Sequence, residues 1–156
     1  MGEFVSNHTN KIDGKGRVSI PAGFRSVLAK DGYEGLYCYP SLDLNAVDCG
    51  GNGLFHAIEQ RLSRVDTYTE AHDYLSTAFY GMGEHLKIDQ DGRVGLSETI
   101  KGYADIDTHV TFVGQGYKFQ IWNPDRFQEH SRKAMELARH LRRTGRIETP
   151  VDGGGA

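Results

Sequence analysis

Apolar and polar positions alternate in RVSIP (17–21), where Val18 and Ile20 fall on one side and Arg17 and Ser19 on the other. That is the period of a half-buried strand, and Pro21 ends its hydrogen bonding. AGFRSVLAKDG (22–32) reads as a short helix stopping at Gly32, and GLYCYP (35–40) as a second strand. In LFHAIEQRLSRV (54–65), Phe55, Ile58, Leu62 and Val65 recur at helical spacing. Thr67 and Glu70 make a capping-box pattern ahead of YTEAHDYLSTAFY (68–80). HVTFVGQGYKFQIW (109–122) reads as two strands joined by a tight glycine-containing turn. NPDRF then opens a helix, with Asn123 as N-cap, Pro124 at the first helical position and Asp125 at the positive end of the dipole. Phe127, Ala134, Ala138 and Leu141 form that helix's apolar stripe, and Gly145 is its expected stop. The glycine-rich VDGGGA end is expected to be disordered.

A repeat organises these elements. KIDGKGRV (11–18) returns as KIDQDGRV (87–94), an offset of 76 residues that places Asp13 on Asp89, Gly16 on Gly92 and Arg17 on Arg93. The likeness continues weakly through Ile20 on Leu96, Phe24 on Ile100 and Arg25 on Lys101. Tandem duplication is the simplest account. It predicts an α+β chain of two units, residues 1–67 and 68–143, followed by a polar tail over 144–156. Units of that size bury little surface alone, so a shared core is the physical reason for their fusion.

Bulk composition narrows the class. A chain of 156 residues with 38% apolar and 25% charged residues is an ordinary globular protein. No apolar run approaches the ~20 residues that span a bilayer, and the N-terminus shows no basic region followed by an apolar stretch. Neither a membrane nor a small-molecule substrate is expected as a partner. Cys38 and Cys49 are too few for a disulfide scaffold and are expected to be a reduced pair in a cytoplasm. The formal net charge of −3 is a mark against a simple nucleic-acid binder, so the distribution of charge matters more than its total.

The repeated Asp-x-x-Gly-Arg can be a turn, a calcium loop or an anion contact. As a turn, the Asp13 carboxylate accepts backbone bonds two residues on and Gly16 takes positive φ, with Asp89 and Gly92 doing the same in the second copy. This accounts for the aspartates and glycines but not for the arginines. KIDQDGRVGLSE (87–98) carries most of an EF-hand loop, yet Lys87 stands where the first ligand belongs and strand-type alternation flanks the segment. The seven histidines form no HExxH and no close Cys/His set, so no metal is expected. GMG and GQG lack the downstream glycine and helix of a nucleotide site, and neither a Walker loop nor a nucleophile elbow is present, so neither cofactor nor catalysis is expected. The basic run RHLRRTGR (139–146) suits a helix C-terminus, with a contribution to DNA affinity as the alternative. Charge separates the two copies. Residues 11–25 carry Lys11, Lys15, Arg17 and Arg25 against Asp13, net +3, whereas residues 87–101 are net zero. A local +3 on a turn and its strand suits a polyanion, where cations displace counterions. Lys11, Lys15, Arg17 and Arg25 are therefore the DNA-contact candidates, with Arg93 a weaker one.

Two Asp-x-x-x-Arg motifs half a chain apart, GRVSIPAGFR after the first and VTFVGQGYKFQIWNPDRF after the second, resemble the MraZ family over residues 4–143. The resemblance implies two SpoVT/AbrB-like units forming a barrel-like core with peripheral helices, assembled as a ring-like homo-oligomer. It also implies a non-enzymatic transcription factor of the bacterial cytoplasm and nucleoid. Its target would be double-stranded DNA: repeated boxes upstream of the division and cell-wall gene cluster, its own promoter included. The family's DNA-contacting arginine falls on Arg17. The family's Pro-x-x-Leu-Arg stretch is approached by PAGFR (21–25) but not by SETIK (97–101), which agrees with the charge count. The alternatives are an oligomeric protein-interaction module and an antitoxin of the AbrB type.

Overall fold

The computed structural model describes residues 2–145, which form two compact units divided between Pro124 and Asp125. The first contains strands β1 (Asn7–Lys11), β2 (Arg17–Ser19), β3 (Leu36–Pro40), β4 (Val47–Gly50), β5 (Glu84–Leu86), β6 (Arg93–Gly95), β7 (His109–Gly114) and β8 (Phe119–Trp122). Its helices are α1 (Ala22–Asp31), α2 (Asn52–Leu62), α3 (Glu70–Ser76), continued by a π-helical turn over Thr77–Gly81, and α4 (Glu98–Ala104). The second unit consists of α5 (Pro124–Thr144) from Asp125 onward. No helix of the described residues is long and apolar enough to cross a membrane.

Six strands form one antiparallel sheet in the order β1-β7-β8-β4-β3-β5, and β2 pairs with β6 in a separate ribbon. Under the 76-residue offset β1 corresponds to β5, β2 to β6 and α1 to α4. Each half thus lends its first strand to the other: β1 lies on β7, and β5 lies on β3. The sheet is α+β in class but open, not the barrel-like closure expected. β2 and β6 leave it to pair with each other, so β1 and β5 remain as its two edges. Those edges are short or polar: β5 has three residues, and β1 reads NHTNK. Both features discourage further strand addition.

The shared core follows from the interleaving. Val18, Ile20 and Phe24 of the first half bury against Val94, Leu96 and Ile100 of the second, each at most 6% exposed, with Phe112 and Phe119 beneath them. A second cluster joins Leu54, Ile58 and Leu62 of α2 to Tyr37, Tyr39 and Phe79. Gly32 takes the left-handed conformation (φ 81°) that stops α1. Beside that stop, the Asp31 carboxylate accepts from the backbone N–H groups of Asn52 (2.6 Å) and Gly53 (3.2 Å), capping α2 from another element. Cys38 and Cys49 face each other across β3 and β4 as buried free thiols, Sγ to Sγ 3.3 Å. Burial pushes the Cys49 thiol pKa up.

Several local expectations shift. The cap of α3 is Thr69, whose hydroxyl accepts from the His72 N–H at 3.2 Å, not Thr67, and Glu70 is the helix's first residue. Asp66 draws the chain into the preceding turn, accepting the Thr69 hydroxyl on its carbonyl at 2.7 Å. Helix α2 ends at Leu62, leaving Val65 outside it, and its buried face includes Leu54, which the spacing argument did not use. Strand β4 was not expected. Helix α5 begins at Pro124 with Asp125 in its first turn, and the Asn123 side-chain amide donates to the Asp105 carbonyl at 2.7 Å. Its stripe is not buried: Ala134, Ala138 and Leu141 are exposed and Phe127 is half-buried. Gly145 follows with φ 73°. The expected tail lies outside the described residues beyond Gly145.

Candidate nucleic-acid interface

Two local turns build the site. In the first, Asp13 Oδ1 accepts the backbone N–H groups of Lys15 (2.8 Å) and Arg17 (2.9 Å), and the Gly16 N–H closes onto the Asp13 carbonyl at 3.0 Å. In the second, Asp89 Oδ1 accepts from Asp91 and Arg93, both at 2.9 Å, and the Gly92 N–H closes onto the Asp89 carbonyl at 2.9 Å. Gly16 and Gly92 hold φ of 80° and 79°, a conformation that costs a β-carbon-bearing residue free energy. Asp89 Oδ1 is thereby taken up by its own turn. Both carboxyl groups sit below the ordinary carboxylate range. The backbone N–H of Arg17 or Arg93 is the main cause, the N–H of Lys15 or Asp91 adds to it, and desolvation opposes.

Pairing of β2 with β6 brings the turns together. Val18 lies opposite Val94, Arg17 opposite Gly95 and Ser19 opposite Arg93. The Ile20 N–H donates to the Gly92 carbonyl at 3.0 Å, and the Leu96 N–H to the Gly16 carbonyl at 3.4 Å. The four side chains of the motif then form one cluster about a local pseudo-twofold. Arg17 Nε lies 3.2 Å from Asp13 Oδ2, and Arg93 Nε lies 3.3 Å from Asp89 Oδ2. Crosswise, Arg17 Nη1 is 3.9 Å from Asp89 and Arg93 Nη1 is 3.7 Å from Asp13. One contact breaks the symmetry: Arg93 Nη2 also meets Asp91 at 3.0 Å, where the first copy has Lys15.

The other sequence candidates are distributed around this cluster. Lys15 is exposed on the first turn, and Lys11 is exposed at the end of β1, opposite His109. The Asn10 side-chain amide donates to the Ser19 carbonyl at 2.8 Å and ties β1 to β2. Arg25, in the first turn of α1, donates from Nε to the Ile20 carbonyl at 3.1 Å and lies against Gly92 of the other motif. At the equivalent second position, Lys101 pairs with Glu98 at 3.3 Å. Sequence reasoning missed the contacts between motifs, both Arg17 with Asp89 and Arg25 with Gly92. The duplication was their signal, since equivalent strands often pair about a pseudo-dyad.

Known proteins resemble this chain throughout. A family model described as "MraZ protein, putative antitoxin-like" matches residues 79–146. A transcriptional regulator MraZ of Beijerinckia indica is 56% identical over 143 residues, covering 92% of this chain and 87% of that one. The transcriptional regulator MraZ of Xanthobacter autotrophicus is 49% identical, covering 96% and 97% of the two chains. That of Rickettsia akari is 36% identical, covering 92% and 97%. Identity at this level over nearly the whole length places the protein in the MraZ family of transcriptional regulators.

Proposed function

We propose that the protein is a sequence-specific DNA-binding regulator whose contact face is the paired-turn surface on β2 and β6. The carrying observation is that surface itself: Arg17 one-third exposed and pinned through Nε, with Lys11, Lys15 and Arg25 exposed around it. An arginine held on one edge can offer the other bidentately to guanine or to a phosphate. The lysines position the backbone of the duplex. Asp13, Gly16, Asp89 and Gly92 hold the two turns, and Arg93, engaged by three carboxylates, contributes less. The halves 1–67 and 68–143 are duplicated AbrB-like units, the first supplying most of the contacts. The target is the set of repeated boxes upstream of the division and cell-wall gene cluster, including the protein's own promoter. The protein acts there in the cytoplasm, at the nucleoid, as a ring-like homo-oligomer whose several copies together overcome an acidic total charge.

A mobility shift with the DNA upstream of its own gene, at two salt concentrations, tests the reading. A sequence-selective shift that weakens steeply with salt is expected. Equal retention of scrambled and upstream duplex, or none of either, would refute it. The antitoxin-like description of the family favours a second reading, in which the same unit also holds a toxin. Stable one-to-one capture of a co-expressed toxin that leaves the upstream duplex unbound would support that one instead.

A further inference from the structure

The two turn glycines share a backbone conformation but not an environment. A β-carbon built on Gly16 meets nothing within 4 Å. One built on Gly92 would stand 2.7 Å from Arg25 Cδ and Nε and 2.8 Å from Cζ. The Arg25 side chain therefore lies flat on the bare backbone of the second motif. It is fastened there by the Nε bond to the Ile20 carbonyl at 3.1 Å. The same Ile20 donates its N–H to the Gly92 carbonyl, so strand, turn and guanidinium are locked in one arrangement. Among the described residues the terminal nitrogens of Arg25 pair with no carboxylate. The equivalent Lys101 differs on every count: it is tied to Glu98, and Gly16 has no side chain lying across it.

We propose that Gly92 is a positioning residue for DNA recognition: the second motif's turn is the platform on which the first unit's Arg25 is held in its DNA-contacting pose. This rests on the DNA-binding reading above and assigns the second copy a part in it that does not depend on Arg93 touching DNA. The physical gain is preorganisation. A free arginine loses much rotamer freedom on binding, and one already fixed along its stem loses less. The obstruction created by a side chain at 92 falls on the exposed Arg25 side chain, held by one hydrogen bond, rather than on the core. Arg25 would yield by moving, so the fold survives while the pose is lost.

Gly92→Asn, Arg25→Ala, the double variant and the parent decide it by titration against the upstream duplex and a scrambled one. Asn is chosen because it accepts positive φ better than other residues. Arg25→Ala should weaken selective binding about tenfold or more, and Gly92→Asn should do nearly the same with its melting transition still cooperative. In the double variant the losses should not multiply: without Arg25 there is nothing left for residue 92 to displace. Gly16→Asn, which carries the same backbone strain in open space, calibrates the melting change due to strain alone. Multiplied losses in the double variant, or parental affinity in Gly92→Asn, would overturn the proposal while leaving DNA binding intact. Absence of selective binding by the parent would instead remove the reading on which it stands.

Discussion

Replacing the two motif arginines one at a time should separate their roles. Arg17 has one close carboxylate, Asp13 at 3.2 Å, and a distant one, Asp89 at 3.9 Å, and its side chain is 33% exposed. Arg93 is met by Asp91 at 3.0 Å, Asp89 at 3.3 Å and Asp13 at 3.7 Å. DNA must compete with three anions for Arg93 and in effect with one for Arg17. Arg17→Ala should therefore lose about 1–3 kcal/mol for each engaged base contact, roughly 5–150-fold per protomer. Where several protomers bind several boxes at once those losses compound, and binding should fall below detection. Arg93→Ala should stay within about a few-fold of the parent. Its residual loss is electrostatic, because removal leaves Asp89 and Asp91 less compensated. That loss should shrink with added salt and be offset by Asp91→Asn in the same chain. Surface ion pairs contribute little to stability, so the fold and the mass in solution should be unchanged in both variants. The assay is an anisotropy titration of each variant on a multi-box duplex, with melting and mass recorded alongside. Equal losses would show that both copies touch DNA and would end the argument from competing carboxylates; loss in Arg93→Ala alone would invert the roles.

Three further outcomes test the structure elsewhere. Buried Asp48 accepts from Lys118 Nζ at 2.9 Å and from Gln120 Nε2 at 2.7 Å, so Lys118→Met should cost about 3–5 kcal/mol by stranding a carboxylate. A melting temperature lowered by roughly 10–15 °C would agree with that, with substantial recovery in Lys118→Met/Asp48→Asn; an unchanged melt would contradict it. Asp13 and Asp89 are held below their ordinary pKa of 3.8, so their stabilising effect is present above that value and lost as pH falls below it through the lowered folded values. Melting should thus lose less on acidification in Asp13→Asn/Asp89→Asn than in the parent, and parallel acid curves would count against the turn assignment. Light scattering coupled to size exclusion should give a mass well above a dimer, and a clean monomer at micromolar concentration would remove the multivalent account of DNA binding.

What the sequence determined by itself is local. The Asp13 and Asp89 turns close within five residues, using a carboxylate, a glycine and the backbone between them, so their chemistry is written in consecutive positions. Helix α1 with its Gly32 stop, and β7 and β8 around a glycine turn, were legible for the same reason: periodicity and capping operate over one or two turns of chain. The duplication was likewise visible, and with it the shared core. Strand β4 was not: it is four residues long, and a charged Asp48 in its middle reads as surface although all four residues are buried. Its Asp48 is tolerable because Lys118 and Gln120, from a distant stretch of chain, both donate to it. The cap of α3 is Thr69, whose hydroxyl accepts from the His72 N–H and donates to the Asp66 backbone carbonyl, a contact that no residue type announces. The open sheet arose because β2 and β6 pair with each other, a choice between distant partners that no local pattern encodes. That pairing alone brings Arg17 within reach of Asp89 and lays Arg25 across Gly92. Residue types that favour a contact can be read along the chain, but which distant groups meet is decided by the collective burial of the core, which has no signature in any one segment.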